Sequence, residues 1–591
     1  MASVQNTEWS LDVFYQGYDD PAFAKDFATM EEKAAALDTA LATAKTQEEA
    51  KGLVTVLTAL EEYEKIASKV GEYIMLRSTV NTTDSQTLDN LAKFEKINAS
   101  IAKTSAAIDK YMAGVSDLEA CIKADPMLTE YAFLLRNNKE NASHQFSDEM
   151  EAMITKMNLS GGAAWSRLFD YLTSTVKAEY EGKELTLPAV RNLAGDADAA
   201  VRKKAYEAEL ACYNKIEGSI AYALNNIKSQ VNMLSKERGY ESALDMTLQQ
   251  SHMKKETLDA MLGAMQEYLP KFHEYLRAKA KYLGYEGALP WYDMLAPLGN
   301  AEKKYTLEET KKCLIDSFSE FSKDMADMME RAFDEAWIDF YPREGKVGGA
   351  FCASVSHAHQ SRILMNFNGT FDAVDTLAHE LGHAYHSTQI FSHRPLNTSY
   401  PMQVAETAST FNETHITRNA IAKASGDEKL ALLDSFLTNT TQTICDIYSR
   451  FLFENAVFNA CEDSFLMPDA LKEMMLDAQK KAYGDGLDHN FLHPYMWTCK
   501  GHYYSESLSY YNFPYAFGSM FAMGLYTQYE KEGASFVPKY NELLHATSVK
   551  SIEETAAMVG VDITDKEFWR ASLASFAEMI DEFVGIVNAI N

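Results

Sequence analysis

Two histidines four residues apart, with a glutamate directly after the first, stand out as residues able to do chemistry: His379-Glu380-Leu381-Gly382-His383. On a helix, positions i and i+4 share a face, so both imidazoles can converge on one metal ion. Glu380 lies beside them, placed to reach a water on that metal. Imidazole nitrogen suits Zn2+, and HExxH on a helix is the spacing of zinc-dependent peptide hydrolysis. The plainer alternative is a surface helix with two solvated histidines. The surroundings argue against it: Phe371, Val374, Leu377, Ala378, Leu381, Ala384 and Tyr385 form a wide apolar face that demands burial in a larger body.

A catalytic zinc site commonly takes three protein ligands and leaves one position for water. The stretch QVAETASTFNE, residues 403–413, carries Glu406 and Glu413 two helical turns apart and therefore on one face. Carboxylates on a mostly apolar stretch are costly unless paired or bound to metal. The expected third ligand is Glu406, with Glu413 supporting a ligand from behind. Asp375, one turn before His379, either orients a metal-bound imidazole or is an acid favoured near a helix N-terminus. His386 either supports the site or packs.

HELGH followed by AETASTFNE resembles the thimet-oligopeptidase-like zinc metallopeptidases, most closely their oligoendopeptidase F branch. Residues 345–386, GKVGGAFCASVSHAHQSRILMNFNGTFDAVDTLAHELGHAYH, are similar to that family's run from a glycine-rich segment through a strand into the metal helix. His502 to Gly518, HYYSESLSYYNFPYAFG, resembles its His and Tyr segment, and LPAVRNLAGDADAAVRKKAYEAEL the start of its peptidase region. The resemblance implies a mainly α, large multi-helix zincin-type fold. It also implies a small antiparallel sheet beside the HExxH helix and a deep substrate cleft between two helical halves that excludes folded proteins.

Chemistry follows from these residues. Three ligands of one net negative charge leave zinc, one per chain, able to lower the pKa of its water towards about 7. Glu380 is the expected general base, and it returns the proton to the leaving amine. The oxyanion needs donors besides the metal. His502, Tyr511 and Tyr515 are the candidates; Tyr511 and Tyr515, four apart, share a face if their segment is helical. Ala516-Phe517-Gly518 departs from the family pattern, whose tyrosines run further. Three functions remain in play: an endopeptidase of oligopeptides, a helical zinc carboxypeptidase or dipeptidase, and a non-catalytic peptide binder. The second needs a basic residue for a terminal carboxylate, with Arg362 or Lys500 available.

The elements that must position these residues are overwhelmingly helical. From Pro21 to about Asp125, apolar residues recur at three- and four-residue spacing through Leu53, Leu57, Leu60, Tyr63, Ile66 and Val70, predicting two or three long antiparallel helices. Thr82-Thr83-Asp84-Ser85 marks a turn and helix start. A second helical block runs from about 198 to 285, and a third from about 306 to 336. Seams near 126–150 and 183–197 suggest an N-terminal helical domain, 1–190, walling or capping the cleft, and a peptidase domain, 191–591. One region departs from the pattern. Residues 337–341, 350–355 and 363–367 read as short strands just before the HExxH helix. An edge strand there could pair with a substrate backbone. Gly348, Gly349 and Ala350 are its expected contacts, the glycines allowing close approach or merely making a turn. His357 and His359 alternate and could share a strand face lining the cleft.

Composition narrows the remaining classes. A net charge of −30, from 55 basic and 85 acidic residues, argues against non-specific binding to nucleic acid or anionic lipid and leaves oligopeptides as the expected partners. No basic-then-apolar leader is visible, and no apolar run is long enough to span a bilayer. Seven scattered cysteines without CxxC pairs suggest a reducing compartment, the cytoplasm. Oligomeric state and peptide specificity leave no trace in the sequence.

Overall fold

A computed structural model describes residues 6–299 and 303–590. The chain falls into two compact units that interleave along the sequence. One comprises Met1–Ser143, Glu302–Ile416 and Gln528–Gly560; the other His144–Ala301, Thr417–Thr527 and Val561–Asn591.

The first unit begins with three long helices, Pro21–Ala44, Glu49–Val80 and Ser85–Ala113, as the periodicity predicts. Asp20, Glu48 and Asp84 start them by accepting hydrogen bonds from otherwise orphaned N–H groups of the first turn. Their inward faces, among them Met30, Leu37, Leu53, Leu57, Val70 and Ile108, form a core that also takes in Val355 and Leu364. Those two residues belong to the expected sheet, so the N-terminal helices are the bed on which that sheet rests.

The sheet has the order Ile338–Asp339, Gln360–Leu364, Phe351–Val355. Its last two strands form the expected antiparallel hairpin, registered from Phe351 opposite Leu364 to Val355 opposite Gln360. Ile338–Asp339 adds to the other side of Gln360–Leu364 in parallel. Asp339 is buried there and held by Arg343 and Lys346, each 2.6 Å away, which folds the following loop back onto the strand. Phe351–Val355 is thus an edge strand, with no strand paired to its outer side among the described residues. His357 and His359 do not share a strand face. They lie in the connecting turn, where His357 packs edge-on against Phe14 and donates from Nε2 to the carbonyl of Val13, and His359 has φ +50° and stacks on Phe391.

The second unit packs helix Lys255–Tyr282 along helix Lys566–Ile590. It also holds a hairpin that the sequence reading did not anticipate, Lys177–Tyr180 with Lys183–Thr186. Its two-residue turn, Glu181-Gly182, has φ of +51° and +78°, the tight hairpin geometry usually signalled by Asn-Gly or Asp-Gly. A long helical stretch, Gly426–Thr441 and Ile447–Ala460, is interrupted by a π-turn at Gln442–Asp446. All seven cysteines are free. No described helix is long and apolar enough to cross a membrane.

Candidate active site

Helix Phe371–Ile390 carries the HELGH string and starts at Thr370, whose hydroxyl accepts from the N–H of Ala373. Val374, Leu377, Ala378, Leu381 and Ala384 are fully buried, so the apolar face read from sequence anchors this helix and fixes the direction of its histidines. Gly382 explains how a second helix comes close enough to complete the site. A Cβ built there would sit 2.5 Å from the carbonyl oxygen of Ala408 and 2.6 Å from Cα of Ser409, so only glycine lets the two backbones touch. Asn412 reinforces the contact by donating from Nδ2 to the carbonyl of Ala378 at 3.0 Å. Glu406 lies in the break between Met402–Ala405 and Thr407–Lys423, and its Oε2 accepts from the Ser409 hydroxyl at 2.7 Å.

The result is a convergence of three ligand-type groups, His379, His383 and Glu406, each offering one atom within 4.8 Å of the others. The two Nε2 atoms are 3.2 Å apart, and Glu406 Oε2 is 3.2 and 3.3 Å from them. Four-coordinate zinc with bonds of ~2.0–2.1 Å places its ligand atoms roughly 3.3–3.5 Å apart, so the donor set fits a small divalent cation. His379 Nδ1 lies 2.7 Å from Glu413 Oε1, which makes Nδ1 the protonated nitrogen and leaves the Nε2 lone pair facing the other ligands. Both nitrogens of His379 are then accounted for. Asp375 shares its helix one turn earlier.

The electrostatics of this cluster favour positive charge. Burial works against a charged His379, yet Glu406 and Glu413 outweigh it and hold the imidazolium up to about 11. Glu406 is driven far below the ordinary carboxylate range; burial opposes the shift, and His379 and His383 overcome it. A proton shared here stands in for the cation the site is built to attract. Glu380 is 5% exposed, and burial raises its pKa against the pull of the two histidines. His386 points away from this chemistry. It is buried, stacks on Tyr400, reaches Thr547 Oγ1 at 2.8 Å, and is pushed down to about 3 by burial and by His383, so it packs as a neutral ring.

The edge strand runs beside the HELGH helix. Ser354 and Ser387 hydroxyls lie 2.7 Å apart, and Glu380 is near enough to Cys352 to add to the burial that raises its thiol pKa. Burial, Cys352 and Glu406 likewise raise Tyr400. Cys352 and Tyr400 border the site without any motif to announce them. Gly348 and Gly349 precede the strand and are exposed, with open space where a side chain would be, and Gly349 has φ +81°. Asn366 holds this approach by donating to the carbonyls of Val347 and Gly349 at 3.1 and 2.8 Å; Ala350, half-buried, follows.

His502, Tyr511 and Tyr515 gather in the second unit. Tyr515 Oη lies 3.4 Å from His502 Nε2, and Tyr511 stacks on the His502 ring at 5.4 Å. The two tyrosines do not share a helical face, because the helix begins only at Phe513. A turn brings Tyr511 to His502 instead. Its preceding residue, Tyr510, has φ +54° and donates its N–H to Glu454 Oε1 at 3.0 Å. Glu454 is fully buried, ion-paired to Lys228 at 2.7 Å, and accepts from Asn512 Nδ2 at 3.4 Å. The sequence reading missed Glu454 and Lys228, because a lone acid and a lone base 226 residues apart carry no local pattern. Burial, Arg450 and Lys500 push His502 down to about 4. Arg362, one residue entertained for binding a terminal carboxylate, is fully buried and spends its guanidinium on Ser10 O, Ser361 O and Gln360 Oε1.

A helical scaffold bearing HExxH, a downstream glutamate converging on its histidines and an adjacent edge strand is the arrangement of the zincin class of metallopeptidase. Within that class, a family profile described as peptidase family M3 matches residues 192–575, and one described as oligopeptidase F matches residues 114–177. The chain belongs to peptidase family M3, in its oligopeptidase F branch, and is a metalloendopeptidase of oligopeptides. Zinc dependence is general in that family. The chain is 27% identical over 531 residues to the group B oligopeptidase PepB of Streptococcus agalactiae, covering 88% of this chain and 87% of that one. It is 26% identical over 540 residues to the oligopeptidase PepF of Bacillus subtilis, covering 89% and 80%. Its fold matches the crystal structure of a putative peptidase from Chlamydophila abortus with a TM-score of 0.88 at 21% identity, covering 99% of both chains. It matches the oligoendopeptidase-F of Enterococcus faecium with a TM-score of 0.70 at 19% identity, covering 96% of this chain and 99% of that one.

Proposed function

We propose that His379, His383 and Glu406 hold one zinc ion and that Glu380 is the general base for hydrolysis of internal bonds in oligopeptides. The observation that carries this reading is the approach of three ligand atoms to within 3.2–3.3 Å of one another, with the Glu380 carboxylate on the same helix. When bound, zinc supplies a Lewis acid that polarises the scissile carbonyl and acidifies water. Glu413 keeps a proton on His379 Nδ1, so that the Nε2 proton is the one a metal ion would displace. Glu380 takes one proton from the attacking water and passes it to the amide nitrogen as the C–N bond breaks, which leaves a neutral amine. Tyr515, Tyr511 and His502 are assigned as donors to the oxyanion, on the strength of their hydroxyl and imidazole chemistry and their mutual contacts. Asp375 and His386 are assigned no step.

The strand Phe351–Val355 is assigned to bind substrate backbone, with Gly348, Gly349 and Ala350 at its approach. Its unpaired outer edge supports this, because main-chain pairing gives affinity without regard to side chains. Residues 1–190 and 191–591 are proposed as separate sequence modules, a division supported by the gap between the two profile matches at 177 and 192. Restriction to short peptides is supported by the names of the relatives, and a reducing, cytoplasmic location by seven unpaired cysteines.

The deciding experiment measures zinc content and cleavage of a peptide blocked at both termini, for the wild type and for Glu380→Gln. One zinc per chain in both proteins, with cleavage lost only in the variant, is the expected result. Unchanged cleavage by Glu380→Gln sinks the assignment of the base. Failure to cleave the doubly blocked peptide, with cleavage of its free form, favours the carboxypeptidase or dipeptidase reading.

A further inference from the structure

The second unit contains a cavity of about 390 Å3 that none of the roles above uses. Arg191, Lys500, Glu209, Asp446 and His493 supply its polar lining. The π-turn interrupting the long helix puts both Gln442 and Asp446 on its wall, and π-turns inside α-helices are frequent at functional sites.

Charge in this cavity does not balance. Arg191 Nε pairs with Glu209 Oε1 at 3.2 Å, and Arg450 pairs with Asp446. Arg202, also on the wall, is matched by Asp293 at 2.8 Å. Lys500 alone has no hydrogen bond or ion pair among the described residues, and its ammonium is held in a place where burial lowers its pKa. Of the three cations on the wall, Arg191 and Arg202 are each matched by a carboxylate, and Lys500 is left without one in a chain of net charge −30. His493 is 1% exposed, and neither ring nitrogen makes a hydrogen bond; the nearest acid oxygen, Glu209 Oε1, is 3.5 Å from Nε2. A half-buried cation without a hydrogen bond, and a buried imidazole whose one acid neighbour is 3.5 Å away, are both expensive unless a ligand completes them.

Asn192 and Gln442 add polar groups, and a further part of the wall is apolar or aromatic: Tyr206, Trp291, Tyr292, Met294 and Met496. A ligand satisfying both halves carries one negative charge next to an apolar group. A chloride or free phosphate would satisfy the cation and leave the aromatic wall bare. We propose that this cavity binds an α-carboxylate with an apolar side chain, the C-terminal end of a short peptide or a free apolar amino acid, with Lys500 and Arg191 gripping the carboxylate. Lys500 is one of the charges that depress His502, so an occupant that neutralises Lys500 would also change the field at that histidine.

The proposal uses none of the residues assigned to zinc or to Glu380 chemistry, and its test uses ligands that need no hydrolysis. N-acetyl-phenylalanine, N-acetyl-phenylalaninamide, free phenylalanine and inorganic phosphate are titrated into the intact protein and followed by ligand-detected NMR. The acid is expected to bind ~10-fold or more tightly than the amide, a difference removed by Lys500→Met and by Arg191→Gln and restored by Lys500→Arg. Arg191 is exposed, so its variant keeps the test decisive even if Lys500→Met misfolds. Tighter binding of free phenylalanine than of its N-acetyl form assigns the pocket to amino acids, and the reverse assigns it to peptide ends. Equal binding of acid and amide overturns the proposal. So does displacement of the acid by equimolar phosphate, or a preference that survives both charge-removing variants.

Discussion

His379 and His502 are the same residue type in two fields of opposite sign. Around His379 stand Glu380, Glu406 and Glu413, and the ring is held protonated up to about 11 despite burial. Around His502 stand Arg450 and Lys500, which add to burial and push it down to about 4. The first unit therefore builds a place that gathers a cation. The second builds one that keeps an imidazole neutral and leaves a lysine seeking an anion.

The comparison can be broken most severely at Glu380. Glu380→Gln should retain zinc and lower kcat by ~10^2–10^4-fold, the usual worth of a positioned general base. On the opposite side, Glu454→Gln should strand Lys228 as an uncompensated buried charge and lower stability by about 3–5 kcal/mol. Denaturant unfolding checks the loss, and a normal unfolding midpoint would show that the Tyr510 turn does not depend on this pair. Should the variant fold, kcat is expected to fall more than KM changes, as suits a residue that positions Tyr511.

A milder loss is expected for Tyr515→Phe, with kcat down ~10- to 10^3-fold at unchanged zinc content, as for removal of one oxyanion donor. An unaffected kcat would take Tyr515 out of the mechanism. Glu413→Ala should weaken zinc binding ~10- to 100-fold by releasing the His379 ring, as measured by competition with a chelator. Gly382→Ala should act in the same direction by pushing the Glu406 segment away, and equal zinc affinity in this variant would mean that the close helix contact is dispensable.

The smallest effect is the pH response of His502. Its folded pKa of about 4 lies below the ordinary value of 6.5, so the unfolded chain binds the extra proton first. Stability from this group is fully present above about 6.5 and is lost as pH falls towards about 4. Replacing His502 with Gln should flatten that part of the pH–stability profile. An NMR titration placing His502 near 6.5 would remove the contrast with His379 altogether.

Much of the site was legible because helical spacing is local. Four residues separate His379 from His383, so one dihedral preference repeated along the chain decides that these side chains align, whereas Glu406 reaches them from a break between helices. The apolar faces of the first three helices, the Asp84 start and the hairpin before the HELGH helix are legible for the same reason. The Glu181-Gly182 hairpin lacks the usual Asn or Asp turn signal, and the helix on which Tyr511 and Tyr515 would share a face starts only two residues past Tyr511.

What the sequence determined by itself is the chemistry on offer: two imidazoles on one helix face, a glutamate beside them, and a further glutamate downstream at the start of the next helix. What only the tertiary structure decided is how those groups are completed. Glu413, and not Asp375, takes the His379 Nδ1, because contact at Gly382 brings the two helices' backbones together. Arg362 is consumed by the carbonyls of Ser10 and Ser361, while Lys500 is left unpaired over a cavity. Charge pairing across hundreds of residues depends on which surfaces pack, and packing is settled by the whole fold and not by any local spacing.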